Sequence, residues 1–175
     1  MDHPMTTDDR TKIAEDALCR YGFCLIGGEW IAPDDMDPVV EFEPVDEQHI
    51  DFLWFLLESR PKDACISHTK MPTMREHADF VRSKPYEVWY IIKDRSRSDG
   101  DLVGACYITR NNEIGVHVHH NFQAQGYGRR AVRKLMSMHG PRKWLANIAP
   151  LNDRSQMMFS RLGFRKLQEV WVKDE

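Results

Sequence analysis

No apolar run in this 175-residue chain approaches the roughly 18 residues of a membrane-spanning helix, so no membrane partner is expected. Excess positive charge is missing too. Twenty-four Lys and Arg stand against 27 Asp and Glu, a net charge of -3. That balance removes the electrostatic case for nucleic acid, which asks for a basic face. The first residues, MDHPMTTDDR, are acidic and polar, so no secretory signal is expected there. The four cysteines, Cys19, Cys24, Cys65 and Cys106, form no C-x-x-C pair and keep no regular spacing. They read as reduced thiols in a cytoplasmic protein. Internal repeats and low-complexity tracts are absent as well.

What remains is a composition, 42% hydrophobic and 29% charged, that supports a real core and one domain with a short appendage. Residues 1–36 read as that appendage. TTDDRTKIAEDALCRYG has the pattern of a short helix, and FCLIGGEWIAP that of a hairpin centred on Gly27 and Gly28. DDMDP is a linker. The main domain, 37–175, opens with a strand in VVEFEPV. The helix in DEQHIDFLWFLLESR has Asp46 as cap and places Ile50, Leu53, Trp54 and Leu57 on one face.

PTMREHADFVRS carries a capping box, Thr73 with Glu76, and an apolar stripe of Met74, Ala78 and Val81. Three strands follow, YEVWYIIKD, DLVGACYIT and EIGVHVH, the first two joined by RSRSDG. A helix places Val132, Leu135 and Met136 against the sheet. RKWLANI reads as a strand, NDRSQMMFSRL as a helix and GFRKLQEVWVKD as a last strand. The expected fold is α/β: a mixed, mostly antiparallel sheet with helices on both faces.

The stretch HHNFQAQGYGRRAVRKL, residues 119–135, sets two glycines at the mouth of a helix, where glycine costs about 1 kcal/mol relative to alanine inside it. The first N–H groups of a helix lack partners and its N-terminal end is partly positive. A glycine turn lets backbone approach a phosphate there. Gln123, Gly126 and Gly128 form Q-x-x-G-x-G, and Arg129, Arg130 and Arg133 add positive charge. The ligand that fits is a pyrophosphate or similar dianion. Neither the G-x-G-x-x-G of dinucleotide folds nor a P-loop is present.

About two dozen residues on come Asn152, Ser155 three later, and Gly163-Phe164 eleven later. Both motifs, at this separation and inside this order of elements, resemble the GNAT superfamily of N-acetyltransferases over roughly residues 39–174. The resemblance implies acetyl-CoA as co-substrate. Its pyrophosphate would meet the turn residues Gln123, Gln125, Gly126, Tyr127, Gly128 and Arg129. The strand backbone at Val116–Val118 would pair with the pantetheine arm and polarise the thioester carbonyl. Asn152 and Ser155 would touch the pantetheine or phosphate region.

Transfer of acetyl to an amine needs a proton acceptor, typically worth about 10²- to 10⁴-fold. Glu113, opening E-I-G, is the leading candidate, and a solvated strand-edge glutamate is the alternative. His117 is a second candidate through water. His68, in ISHTKMPT, lies where the resemblance puts the acceptor pocket. H-x-H-H at 117–120 sets His117 and His119 on one strand face, but no clear third ligand is nearby, so no metal is expected. Trp54, Tyr86, Trp89 and Tyr90 read as core or pocket wall. Two positions depart from the family: Asn147 where protein-N-terminus acetyltransferases carry glutamate, and Phe159 where many carry a general-acid tyrosine.

These departures point to a small-molecule amine acceptor, with an amino sugar, nucleotide-linked, as first choice. Peptide or antibiotic-like amines, or a non-catalytic acyl-CoA-binding module, are the alternatives. A homodimer is compatible with the chain, and the appendage can shape the acceptor pocket or a dimer contact.

Overall fold

The computed structural model describes residues 39–61, 70–95 and 101–169, the helical residues Lys12 and Glu15, and the backbone of 24–26 and 29–31. The expected hairpin is there: β1 (Cys24–Ile26) pairs antiparallel with β2 (Glu29–Ile31), Leu25 opposite Trp30. The linker at 34–38, the turn at 96–100, and His68 and Cys65 lie outside the described residues.

The main sheet is a four-stranded antiparallel meander of β3 (Val40–Pro44), β4 (Val88–Asp94), β5 (Leu102–Ile108) and β6 (Ile114–Val118). Between β3 and β4 run α1 (Ile50–Glu58) and α2 (Met74–Arg82); α3 (Tyr127–His139) and α4 (Asp153–Arg161) follow β6. Asp46 caps the 3-10 turn Glu47–His49 that leads into α1, accepting from the Gln48 amide at 3.0 Å. The Thr73–Glu76 capping box forms in both directions: the Glu76 amide donates to Thr73 Oγ1 at 3.3 Å, and the Thr73 amide donates to Glu76 Oε2 at 2.7 Å.

Alternation along the strands sorts side chains to two faces. One face carries Ile92, Cys106, Ile108 and Ile114 and packs on Tyr127, Ala131, Val132 and Leu135 of α3 and Phe159 of α4. The other carries Ile91 and Ala105 and packs on Leu53 and Leu56 of α1 and Val81 of α2. Helices therefore cover both faces, as expected. The buried row of α1 is Leu53 and Leu56, with Ile50, Trp54 and Leu57 only half-buried. On α2 Met74 is exposed, and His77 is buried instead. His77 Nε2 bonds the Ile50 carbonyl oxygen at 3.2 Å and its ring meets Trp54 edge-on, so a polar residue fills the α1–α2 seam.

Two expected strands differ. RKWLANI contributes a single parallel bridge, Leu145 beside Glu113. Residues 164–169 form no strand, and 170–175 lie outside the described residues. Trp144, Ala146 and Ile148 still pack on the core, so the apolar alternation is used for burial without a backbone ladder. Cys106 is buried and free, and burial pushes its thiol up. Among the described residues no helix is long and apolar enough to cross a membrane.

Candidate active site

Among the described residues the edge of β6 is open over most of its length. Thr109 bonds the Glu113 carbonyl at 2.9 Å, and His119 bonds that of Val103 at 2.9 Å. In an antiparallel pair the bonded residues alternate. Gly115 and His117 therefore bond β5, and the N–H and C=O groups of Ile114, Val116 and Val118 face away from it. The Ile114 amide bonds the Leu145 carbonyl at 2.8 Å, after which the 145–149 segment parts from β6. The Val118 carbonyl is taken by Gln123 Nε2 at 3.1 Å. The Val116 amide and carbonyl are left on the open edge, where an extended ligand can pair with them.

At the end of that edge the chain turns into α3. Gly126 is the N-cap residue, at φ 84°, a left-handed conformation that favours glycine. No side chain caps the helix, and its first closing bond is Arg130 N–H to the Gly126 carbonyl at 3.0 Å. The amides of Tyr127, Gly128 and Arg129 thus have no intrahelical acceptor. Gly128 has a different role. A Cβ there would meet Met158 Sδ at 3.2 Å and Val118 Cγ2 at 3.6 Å, so its bareness brings α3 close to α4 and β6.

The turn's side chains are used inside the fold. Gln123 joins the Val118 carbonyl to Arg154, whose Nη1 donates to Gln123 Oε1 at 2.9 Å. Gln125 Nε2 donates to the Asn121 carbonyl at 2.8 Å. The Tyr127 ring is buried and its hydroxyl donates to the buried Asp94 carboxylate at the end of β4. All three side chains are thus spent within the fold. Burial holds the Arg129 guanidinium below its usual range, and Arg133, Arg161 and Arg130 add to the effect. Arg129, Arg130 and Arg133 stand in the first two turns of α3, a placement that suits a phosphate-rich anion. Asn152 spends its side-chain oxygen on α4, accepting the Ser155 amide at 3.1 Å. Phe159 is buried and meets Phe164 edge-on at 5.0 Å.

The proton-acceptor candidates lie on the α1–α2 face. Glu113 Oε2 accepts from Thr109 Oγ1 at 3.0 Å, and Oε1 from Asn147 Nδ2 at 2.9 Å. His117, four residues on, is pushed down to about 4, first by burial, then by Arg60 and His119, and is neutral near pH 7. Between them Tyr107 lies across β6, and a Cβ on Gly115 would stand 2.0 Å from its Cζ. Tyr86 stacks on Tyr107 at 3.9 Å, and Trp89 and Phe80 continue the wall. His119 is buried under Phe55 of α1 at 4.9 Å, while His120 is exposed. Among the described residues no three His, Cys, Asp or Glu gather as a metal site.

Comparison with known proteins fits this geometry. The chain matches the model of the acetyltransferase (GNAT) family over residues 50–164. It belongs to the GNAT family of acetyltransferases. The family's fold also unites it with solved structures at low identity. A domain from Methanocaldococcus jannaschii DSM 2661 superposes with TM-score 0.65 at 23% identity, over 77% of this chain and 93% of that one. Spermidine N-acetyltransferase from Vibrio cholerae, in complex with CoA and spermine, gives 0.64 at 12%, over 77% and 88%. An N-acetyltransferase from Staphylococcus aureus Mu50 gives 0.58 at 13%, over 73% and 84%. No curated protein sequence matches the chain.

In this GNAT acetyltransferase the open β6 edge and the uncapped α3 turn are continuous, and the residues present fit acetyl-CoA. Sequence reading missed Asp94 and the Tyr107–Gly115 contact. The only signal in the chain was the glycine in E-I-G, whose reason for being bare lies on the neighbouring strand.

Proposed function

We propose that the enzyme transfers acetyl from acetyl-CoA to the primary amine of a small molecule, by direct attack of the amine on the thioester. One observation carries the reading: an unpaired strand edge at Val116 runs straight into a helix whose first amides are uncapped. Bound acetyl-CoA supplies an activated acetyl thioester. The chain's own part is to hold and polarise. The amides of Tyr127, Gly128 and Arg129, with the arginines beside them, hold the pyrophosphate. The Val116 amide, fixed on the open edge, donates to the thioester oxygen as charge develops there, as an oxyanion hole does.

Glu113 receives the amine proton through water, since it stands three residues from Val116, about 10 Å of strand. His117 is the nearer, weaker acceptor. An aromatic wall of Tyr107 and Tyr86 suits a ring-shaped acceptor such as an amino sugar. A cytoplasmic location, where acetyl-CoA is supplied, completes this reading.

The test is thiol release from acetyl-CoA with a panel of amines, together with thermal shift. Acetyl-CoA raises the melting temperature of the wild type, because a ligand of the folded state stabilises it. Gly126→Val, which puts a branched side chain into a left-handed turn, abolishes that shift. A folded Gly126→Val protein with an unchanged shift overturns the phosphate assignment. Acetyl-CoA binding without turnover on any amine overturns the transfer.

A further inference from the structure

A side-chain cap on α3 would occupy the amides that the pyrophosphate of acetyl-CoA is to meet, and the helix has none. An uncapped helix end frays. The first turn of α3 therefore needs a hold that leaves its amides open.

Tyr127 provides one. It is the first helical residue after the Gly126 N-cap, and its hydroxyl donates to Oδ2 of Asp94, the last residue of β4. β4 lies two strands from β6, so the bond ties the turn that follows β6 to a strand that β6 does not adjoin. Both partners are buried, Tyr127 at 4% exposure and Asp94 at 2%. Beside the carboxylate stand Val40, its cross-strand partner, and Ile92, two residues back on the same face. Lys134, two turns along α3, repeats the pattern: its Nζ donates to the Val40 carbonyl at 2.7 Å. Next to Tyr127, bare Gly128 lies close to Met158 and Val118.

Packing alone does not call for this pair. A phenylalanine would fill the place of the ring and a valine that of the carboxylate, with no polar group to bury. Replacing both partners of a buried polar pair by apolar groups commonly leaves stability unchanged or raised. A hydrogen bond adds direction, which apolar contact lacks. We infer that Tyr127 and Asp94 act as positioning residues of the cofactor site: their bond fixes the first turn of α3, so that its uncapped amides already converge when the pyrophosphate arrives. The inference rests on the phosphate reading above and deepens it.

Titration calorimetry with CoA tests it and needs no acceptor amine. Tyr127→Phe keeps the ring against Phe122 and loses the bond. The paired variant Tyr127→Phe, Asp94→Val also removes the carboxylate, and is the one to read should the first be too unstable. Each weakens CoA binding at least about fivefold, as expected for a lost support behind a binding group. Each weakens ADP carrying a 3′-phosphate, the nucleotide half of CoA, by the same factor. Without ligand the paired variant melts within a few degrees of the wild type. Asp94→Asn, which keeps an oxygen for the hydroxyl, binds CoA nearly as the wild type does. A pair that serves stability alone gives the opposite pattern: a paired variant that no longer folds, or a folded variant with wild-type affinity, overturns the inference. So does a loss for CoA that spares its nucleotide half, because the effect then lies away from the pyrophosphate. Gly126→Val separates the two readings. If it abolishes CoA binding while the Tyr127 variants bind normally, the phosphate reading stands and this inference falls; if Gly126→Val binds CoA normally, both fall.

Discussion

Asn147 donates its side-chain amide to Glu113 Oε1 at 2.9 Å, across the point where the chain after Leu145 leaves β6. Thr109 occupies the other carboxylate oxygen at 3.0 Å. Asparagine at 147, where protein-N-terminus acetyltransferases of the family carry glutamate, thus sits against the carboxylate proposed to receive the amine proton. A second acid there would set two negative charges side by side and force one to take up a proton. Asparagine instead supplies a donor and fixes the rotamer of Glu113.

Glu113→Gln therefore lowers kcat at least tenfold and leaves the acetyl-CoA dissociation constant unchanged, because a proton acceptor is lost and no cofactor contact is. The deficit shrinks as pH rises, since the free amine no longer needs deprotonation. A pH–rate profile of both forms checks this. Superimposable profiles would move the acceptor to His117.

The second expectation concerns acid stability. His117 is held down to about 4, mainly by burial, and burial also lowers His77 and His119. In the unfolded chain each returns to about 6.5. Below that value the unfolded state binds more protons than the folded one, so stability is full above pH 6.5 and falls as pH drops toward 4. His117→Gln removes its share, roughly 1–3 kcal/mol when discounted for partial exposure. Urea unfolding at pH 7 and pH 4.5 measures it: the wild type loses more stability between the two than the variant does. Equal losses would show that His117 is solvated and free to protonate.

How far the chain could be read without coordinates follows from the range of the forces involved. Capping at Thr73 and Glu76, the alternation of β4 to β6 and the apolar stripe of α3 are local, and each stands in the structure. The glycine turn was legible for the same reason, since a left-handed N-cap at Gly126 is a property of one residue. What failed was long-range. WLANI alternates like a strand, yet only Leu145 finds a backbone partner, because the opening beside Val116 requires the segment to part from β6. Tyr127 reads as a turn residue facing a ligand, and its hydroxyl instead reaches Asp94, 33 positions away in sequence. The apolar stripe expected on α2 includes Met74, which is exposed, and His77 is buried instead, because the Ile50 carbonyl offers it a partner.

The last expectation concerns Phe159, where many relatives place a tyrosine acid. Its ring is 4% exposed and packed with Ile108, Leu135 and their neighbours on the α3 face of the sheet, edge-on to Phe164. The proton-acceptor candidates stand on the opposite face, so this ring serves packing. A cysteine-type thiol has a reference pKa near 8.5, so a thiolate can leave beside a helix N-terminus without a dedicated acid. Phe159→Leu changes core shape and costs about 1 kcal/mol. Phe159→Tyr adds a hydroxyl where the surroundings are apolar and costs about 1–3 kcal/mol for the unmet hydrogen bond. Tyrosine is thus the more destabilising of the two, and turnover stays within a few-fold in both. Denaturant unfolding and kcat on the best acceptor decide the matter. A tyrosine variant as stable as the wild type and tenfold faster would mean that the hydroxyl reaches the departing sulfur, and that position 159 is an acid site this chain has given up.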